Sequence, residues 1–262
     1  MQQPTIFISH GAPSFALETG KASALLTQLG ATVNASSGAK AVLVVSPHWM
    51  TRTLTVMTTA APQTLYDFGG FDPRLNLLHY RAPGHPTLAQ ATVDLLRKHG
   101  YDVATDAQRG FDHGAWVPLV HLLPKADLPV FQLSLPHQFS PADAHALGRA
   151  LRPLSQQGVV ILGSGSLTHN LSELQMHPTA DAQYATEFAA WARGNVVTHN
   201  HVALVNMPTV APHAKRAHPT IEHYFPLLVA AGAAADSTTV EVLDGGTSYG
   251  VISMESYVWR AV

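Results

Sequence analysis

The chain has 262 residues, of which 46% are hydrophobic and 12% are charged, and its net charge is −2. This length and apolar content suffice for a large core, and the near-neutral charge offers no basic surface for nucleic acid or an anionic membrane. The absence of cysteine excludes disulfides, thiolate zinc sites, iron–sulfur clusters and cysteine nucleophiles.

Apolar runs rich in Val, Ile and Leu predict seven strands, at residues 5–9, 41–46, 54–58, 129–135, 159–163, 239–243 and 251–257. Helical patterns fall between them, at residues 21–29, 86–99, 115–123, 141–156, 181–195 and 219–234. This alternation predicts an α/β fold, a single three-layer domain over residues 1–262 with a mostly parallel central sheet. The turn Asp244-Gly245-Gly246 predicts that the last two strands pair antiparallel at one edge.

No signal peptide and no apolar stretch long enough for a bilayer is evident in the sequence. We therefore expect a cytoplasmic protein without a membrane partner.

Histidine is unusually abundant, with 16 residues against 15 lysines and arginines together. Three of the histidines, His10, His48 and His169, lie just past apolar runs that read as strands. The ligand crevice of an open α/β sheet lies outside the carboxyl ends of its strands. We therefore expect these imidazoles to meet at one rim of the sheet and to form a metal site.

A further ligand is expected at Glu222 or His223, which are adjacent in the first turn of the predicted helix 219–234. Neighbouring helical residues point about 100° apart, so only one of them should face a metal ion. A three-histidine site requires His223, and a site of two histidines and one carboxylate requires Glu222. The residues alone leave both open.

Several other side chains near these positions are also candidates, and most of them admit two interpretations. Asp112 can cap the helix that begins near residue 115 or act in catalysis, and His113 suits a hydrogen-bond donor to a bound oxygen species. Trp49 can line a pocket or fill the core. Phe68 belongs to a glycine-hinged aromatic segment, residues 66–73, that can cover a pocket or form a surface turn.

Six segments in order carry a family resemblance: ISHGAP at 8–13, VVSPHW at 44–49, YDFGGF at 66–71, GFDHGAW at 110–116, GSGSLTHNL at 163–171 and PTIEHYFPLL at 219–228. Together they resemble the class III extradiol ring-cleavage dioxygenases, in the 4,5-DOPA dioxygenase branch. The resemblance runs nearly from end to end of the chain, and its specificity comes from the order of the six segments.

The resemblance implies one divalent metal ion held by His10, His48 and His223. It implies that His169 acts as acid/base or as a fourth metal ligand, and that His113 lines the pocket for oxygen and substrate. Relatives of the protocatechuate type have a glutamate as third ligand, whereas this chain matches the pattern with His223 in that place.

The expected reaction is opening of a catechol ring, of a DOPA-like substrate, by O₂. We expect Fe(II) for activity, Zn(II) in the isolated protein, and a possible homodimer. Substrate contacts are expected from Trp49, Phe68 and Tyr224.

Two alternatives remain at this point. One is a zinc hydrolase, in which the three histidines activate water and His169 or Glu222 is the general base. The other is a metal-binding or interaction module without catalytic activity.

Overall fold

The computed structural model describes residues 2–35 and 38–262. Within these ranges the main sheet has eight strands in the order β4-β3-β5-β2-β6-β1-β10-β7, and β8 and β9 form a separate antiparallel pair. The strands are β1 (Thr5–Ser9), β2 (Ala41–Thr51), β3 (Leu54–Met57), β4 (Val103–Asp106), β5 (Val130–Pro136), β6 (Val159–Gly165), β7 (Thr238–Leu243), β8 (Thr247–Ser248), β9 (Ile252–Ser253) and β10 (Ser256–Ala261).

The four central strands of the sheet are parallel to one another, and the strand on each side of them is antiparallel to its central neighbour. Strands β5, β2, β6 and β1 run in the same direction, whereas β10 is antiparallel to β1 and β3 is antiparallel to β5. Every residue of β1, β5 and β6 is buried, and the apolar runs 6–8 and 159–162 lie within β1 and β6, whereas Gln132 and Ser134 interrupt the apolar sequence of β5. The predicted α/β class with a mostly parallel sheet and an antiparallel edge is confirmed.

The described helices are α1 (Lys21–Ala35), α2 (Pro86–Lys98), α3 (His113–Leu122), α4 (Pro141–Leu151), α5 (Gln183–Val197), α6 (His201–Val205), α7 (Met207–Val210), α8 (Ala214–Ala217) and α9 (Phe225–Ala233). Short 3₁₀ helices span Pro13–Leu17, Pro73–Leu77, Arg152–Gln157 and Leu171–Glu173. None of the helices in the described ranges combines the length and the apolar character that a bilayer crossing requires.

Helices α3 and α9 cover opposite faces of the sheet. Along β6, the α-carbon of Gly163 abuts the Pro226 carbonyl of α9, whereas the next side chain, Ser164, bonds to the Gly114 carbonyl of α3. Successive residues of a strand point to opposite faces, so the sheet is the middle of three layers. A side chain at Gly163 would overlap α9, which explains the glycine at this position.

Several predicted boundaries differ from the structure. The predicted helix 141–156 ends at Leu151, because Pro153 cannot donate the next backbone hydrogen bond and a 3₁₀ segment follows. The predicted strand 251–257 is divided between β9 and β10. Strands β7 and β10 do pair antiparallel as predicted, but their connection contains β8 and β9 instead of one tight turn. Strand β4 was not predicted, since two of its four residues are exposed.

A bulge in β2 places His48 inside the strand instead of after it. Val45 pairs with Leu133 and Met50 pairs with Leu135, so five steps along β2 match two steps along β5. The extra residues include Pro47, which cannot donate to a ladder and is tolerated at bulges. Bulges commonly redirect a side chain beside a functional site.

Candidate metal centre

Three histidines converge at the carboxyl ends of the central strands. His10 follows β1, His48 lies in the bulge of β2, and His223 lies in the turn before α9, not in the helical first turn that was predicted. One ligand nitrogen of each lies within 4.8 Å of the others, and the Nε2 atoms of His10 and His48 are 3.2 Å apart. Nitrogens bound tetrahedrally to zinc at 2.0–2.1 Å are about 3.3 Å apart. The spacing therefore fits one metal ion.

The outward nitrogen of His223 is held by a neighbour, and its inward nitrogen is free. His223 Nδ1 lies 3.0 Å from Glu222 Oε1, and a carboxylate can only accept, so Nδ1 carries the proton. The buried Nε2 of His223 has no hydrogen-bond partner among the described residues. A buried lone pair without a partner is what a metal ion would satisfy. Glu222, the competing ligand candidate, thus lies behind the His223 ring.

The other two predicted histidines adjoin this triad. The ring of His169 stacks on that of His223, with centroids 3.4 Å apart and planes 9° apart. The ring of His113 is centred 3.8 Å from that of His48. Asp67, which the sequence analysis did not single out, accepts from the His113 backbone N–H at 2.9 Å and lies 3.1 Å from its Nδ1. The structure thus brings all five histidines to one place.

The three residues expected to contact substrate have different surroundings. The ring of Phe68 lies edge-on to His113 at 5.7 Å, beside the cluster. Trp49 is buried and carries the Arg109 guanidinium 5.1 Å from its ring centroid. Tyr224 lies in the core, with no exposed surface and with its hydroxyl donating to the Leu204 carbonyl at 3.1 Å. Because that hydroxyl and ring are already packed, Tyr224 has no surface left with which to contact a substrate.

A buried carboxylate network supports His48 and α3. Asp112 is fully buried and accepts from the Ser46 hydroxyl at 2.7 Å, the Gln132 amide at 2.8 Å and the Arg109 guanidinium at 3.1 Å. It also accepts from the Ala115 backbone N–H, so the capping interpretation of Asp112 holds. Ser46 Oγ in turn accepts from the His48 backbone N–H at 3.2 Å. Arg109 and Ala115 lie three residues from Asp112, whereas Ser46 and Gln132 lie 66 and 20 residues away, and no local motif reveals these two.

We expect Asp112→Ala to lower the free energy of unfolding by about 3–5 kcal/mol, because it leaves the partly buried Arg109 and three other donors without their acceptor. The matched control is Asp143→Ala, which removes an exposed carboxylate from the capping box of α4 and should cost about 1 kcal/mol. Urea unfolding of both variants in excess chelator measures the difference. Equal losses would show that Asp112 acts only as a helix cap.

Burial favours the neutral form of four of the clustered histidines. It lowers the pKa of His10 and of His223 well below 6.5, and the neighbouring imidazoles lower both further. Burial lowers the pKa of His48 to about 4, with His113 contributing in the same direction. The pKa of His169 is also lowered by burial, against the opposing charge of Glu222. Neutral imidazole is the form that binds a metal ion, so the cluster is ready to bind at neutral pH.

Acidification is expected to destabilise the metal-free protein. Burial also lowers the pKa of His218, outside the triad, from 6.5 to about 4. The unfolded chain therefore binds protons between pH 6.5 and 4 that the folded protein excludes, so the free energy of unfolding falls as pH falls through this window. For His218 the loss is about 3 kcal/mol, at 1.36 kcal/mol per pH unit.

His218→Gln tests this expectation, because glutamine can still donate to the Leu167 carbonyl that His218 Nε2 contacts at 2.9 Å. The free energy of unfolding is measured in urea and excess chelator from pH 7 to pH 4. In His218→Gln its dependence on pH should be weaker than in the unmodified protein by the uptake of about one proton. The control His137→Gln makes the same substitution at an exposed ring, so it separates the loss of a buried imidazole from the exchange of side chain alone. A pH dependence that stays the same in His218→Gln would contradict the assignment.

The comparisons with known proteins decide the family. Residues 4–259 match the family model described as the catalytic LigB subunit of aromatic ring-opening dioxygenase. The chain belongs to the LigB family of aromatic ring-opening dioxygenases.

Relatives of this LigB-family chain include a 4,5-DOPA dioxygenase extradiol of Beta vulgaris, 39% identical over 97% of this chain and 95% of the relative. Another 4,5-DOPA dioxygenase extradiol, of Escherichia coli strain K12, is 34% identical over 97% of this chain and 94% of the relative. The crystal structure of an uncharacterized Escherichia coli K12 protein has a TM-score of 0.81 and 31% identity, covering 98% of this chain and 99% of that one. The predicted resemblance is confirmed, and the family and its 4,5-DOPA dioxygenase relatives indicate that the chain is an extradiol ring-opening dioxygenase.

Proposed function

We propose that this protein opens the ring of a DOPA-like catechol with O₂ at a single metal ion held by His10, His48 and His223. The observation that supports the proposal is the convergence of these three imidazoles, with ligand nitrogens within 4.8 Å of one another, in a chain of the LigB family. Ferrous iron bound there would supply open coordination positions for the catechol oxygens and O₂ and a path for electrons between them.

The protein's own part in this reaction begins with His169. Its ring is neutral at pH 7, because burial lowers its pKa, and it lies directly against His223. A neutral imidazole beside the proposed metal position can remove a proton from a catechol hydroxyl and return it later. We therefore assign His169 as the acid/base, with a fourth metal ligand as its alternative role.

His113 and Phe68 would form the side of the site that receives oxygen and substrate. The His113 ring lies against that of His48, and Asp67 holds the His113 backbone in place. From that position the imidazole can donate a hydrogen bond to a bound oxygen species. Phe68 packs edge-on against His113 and offers an aromatic surface to a planar catechol ring.

Reconstitution without oxygen tests the proposed function. The metal-free protein is loaded with Fe(II) or with Zn(II) and then mixed with DOPA and other catechols in aerated buffer. We expect one O₂ consumed per catechol and a yellow ring-opened product with Fe(II), and neither with Zn(II). Hydrolysis of esters or amides by the zinc form, without O₂ uptake on any catechol by the iron form, would overturn the proposal.

A further inference from the structure

We propose that Pro118, Gly114 and Ser164 together fix the tautomer of His10, so that Nε2 of this ring presents a lone pair to the metal ion. The inference rests on the proposed function only in taking His10 as a metal ligand. None of the three residues touches the proposed metal position, so we regard them as positioning residues.

Pro118 leaves one carbonyl of α3 without its usual partner. In an α-helix the N–H of residue i+4 donates to the carbonyl of residue i, so residue 118 would serve Gly114. Pro118 lies inside α3 and has no N–H to donate. The Gly114 carbonyl is therefore available to a donor from outside the helix.

Ser164 supplies that donor. Its side chain is fully buried, and its hydroxyl donates to the Gly114 carbonyl. The same oxygen lies 3.1 Å from Nδ1 of His10. A hydroxyl has one proton, and a carbonyl can only accept, so the proton of Ser164 is committed to Gly114. Toward His10 the serine oxygen can only accept, which places a proton on Nδ1 and a lone pair on Nε2.

Backbone pairing between β1 and β6 positions Ser164 next to His10. Ser164 lies opposite Ile8 in the pairing of β6 with β1, and the His10 backbone N–H donates to the Gly165 carbonyl at 2.9 Å. A side chain at position 114 would overlap the Ser46 hydroxyl and the His48 ring. Glycine thus allows α3 to approach β2 closely while its carbonyl receives the serine from β6.

The rings of His223 and His10 each have a hydrogen-bond partner at Nδ1, and the two partners act in different ways. Glu222 can only accept, so it fixes the tautomer of His223 unaided. Ser164 is neutral and could point its proton either way. If it donated to His10 Nδ1, the ring proton would sit on Nε2, which faces Nε2 of His48 at 3.2 Å. That tautomer has no lone pair for a metal ion, so the free carbonyl created by Pro118 decides which form is present.

The tautomer can be read directly, without metal and without activity. Long-range ¹H–¹⁵N correlation spectra of the metal-free protein distinguish a proton on Nδ1 from one on Nε2. In the unmodified protein we expect His10 to carry its proton on Nδ1. Ser164→Ala removes the acceptor of that proton, and Pro118→Ala supplies an N–H that competes for the Gly114 carbonyl. Both variants should give a mixture containing the Nε2-protonated form.

Zn(II) affinity, measured by competition with a chelator, is the second readout. Loss of a residue that orients a metal ligand typically weakens binding 10- to 100-fold, and we expect this range for Ser164→Ala. Pro118→Ala should weaken binding by a smaller factor, roughly threefold to tenfold, since the new N–H shares the carbonyl. The control Ser155→Ala removes another fully buried hydroxyl, which donates to the Arg152 carbonyl at the opposite end of β6, and should change neither readout.

The outcomes separate this inference from the proposed function. A proton on Nε2 of His10 in the unmodified protein, or unchanged His10 tautomer and zinc affinity in a folded Ser164→Ala or Pro118→Ala, overturns the inference. If Ser164→Ala does not fold, Pro118→Ala decides alone, because it leaves the serine in place. Zinc binding that leaves the resonances of His10, His48 and His223 unchanged would instead refute the metal site, whatever the tautomer.

Discussion

Replacing His223 with alanine is expected to abolish ring cleavage and to weaken Zn(II) binding by roughly a hundredfold to a thousandfold. Structural zinc sites in zinc-finger peptides release about 10–16 kcal/mol on binding, so each of four ligands accounts for about 3–4 kcal/mol, and 1.4 kcal/mol is a factor of ten. His223 is 5% exposed and its Nε2 has no other partner among the described residues. Competition with a chelator measures the affinity, and O₂ uptake by the iron-loaded protein measures turnover.

His145→Ala is the matched control for this experiment. His145 lies on α4 with its ring 4.9 Å from that of His201, and its buried Nε2 also lacks a partner in the described residues. The variant therefore removes an imidazole with a free nitrogen from a second histidine pair outside the proposed centre. We expect normal metal binding and turnover. A loss of zinc affinity in His145→Ala, with none in His223→Ala, would move the metal site to that pair.

The parallel strands at the centre of the sheet, and the histidines that meet at their carboxyl ends, could be predicted because both are marked by short local sequence patterns. Strands β1 and β6 are buried on both faces, so their apolar runs 6–8 and 159–162 are unbroken, and His10 and His169 stand out after them. Strand order is not a local property. Strand β6 lies between β1 and β2, and no periodicity in the sequence encodes that insertion.

The supporting contacts could not be predicted for the same reason. His10 and Ser164 are 154 residues apart in the chain, and Ser164 and Gly114 are 50 apart. Each residue type is common, and only the packing of α3 against β6 brings the three together. Proximity in sequence was misleading for Tyr224. It adjoins His223 in sequence, yet the turn before α9 directs its ring into the core.

The second large effect is expected at His169. We expect His169→Ala to lower turnover 10²- to 10⁴-fold, the usual contribution of a general acid or base, and to change zinc affinity by less than tenfold. The His169 ring stacks face to face on that of His223. His223 therefore belongs both to the group of His10, His48 and His223 and to a neighbouring group that it forms with His169 and Glu222. In the proposed site, a base in this position would reach a substrate beside His223 without having to bind the metal ion itself.

The two measurements together distinguish the roles that the sequence left open for His169. If His169 is a general base, His169→Ala should lose turnover and still bind zinc. If His169 is a fourth ligand, the variant should lose turnover and its zinc affinity should fall as in His223→Ala. His169→Gln refines the comparison, since glutamine keeps a polar side chain but cannot take up a proton near neutral pH. Full turnover in either variant would contradict both roles. Another group near the metal ion would then have to accept the catechol proton, and His113, whose ring is centred 3.8 Å from that of His48, is the next candidate.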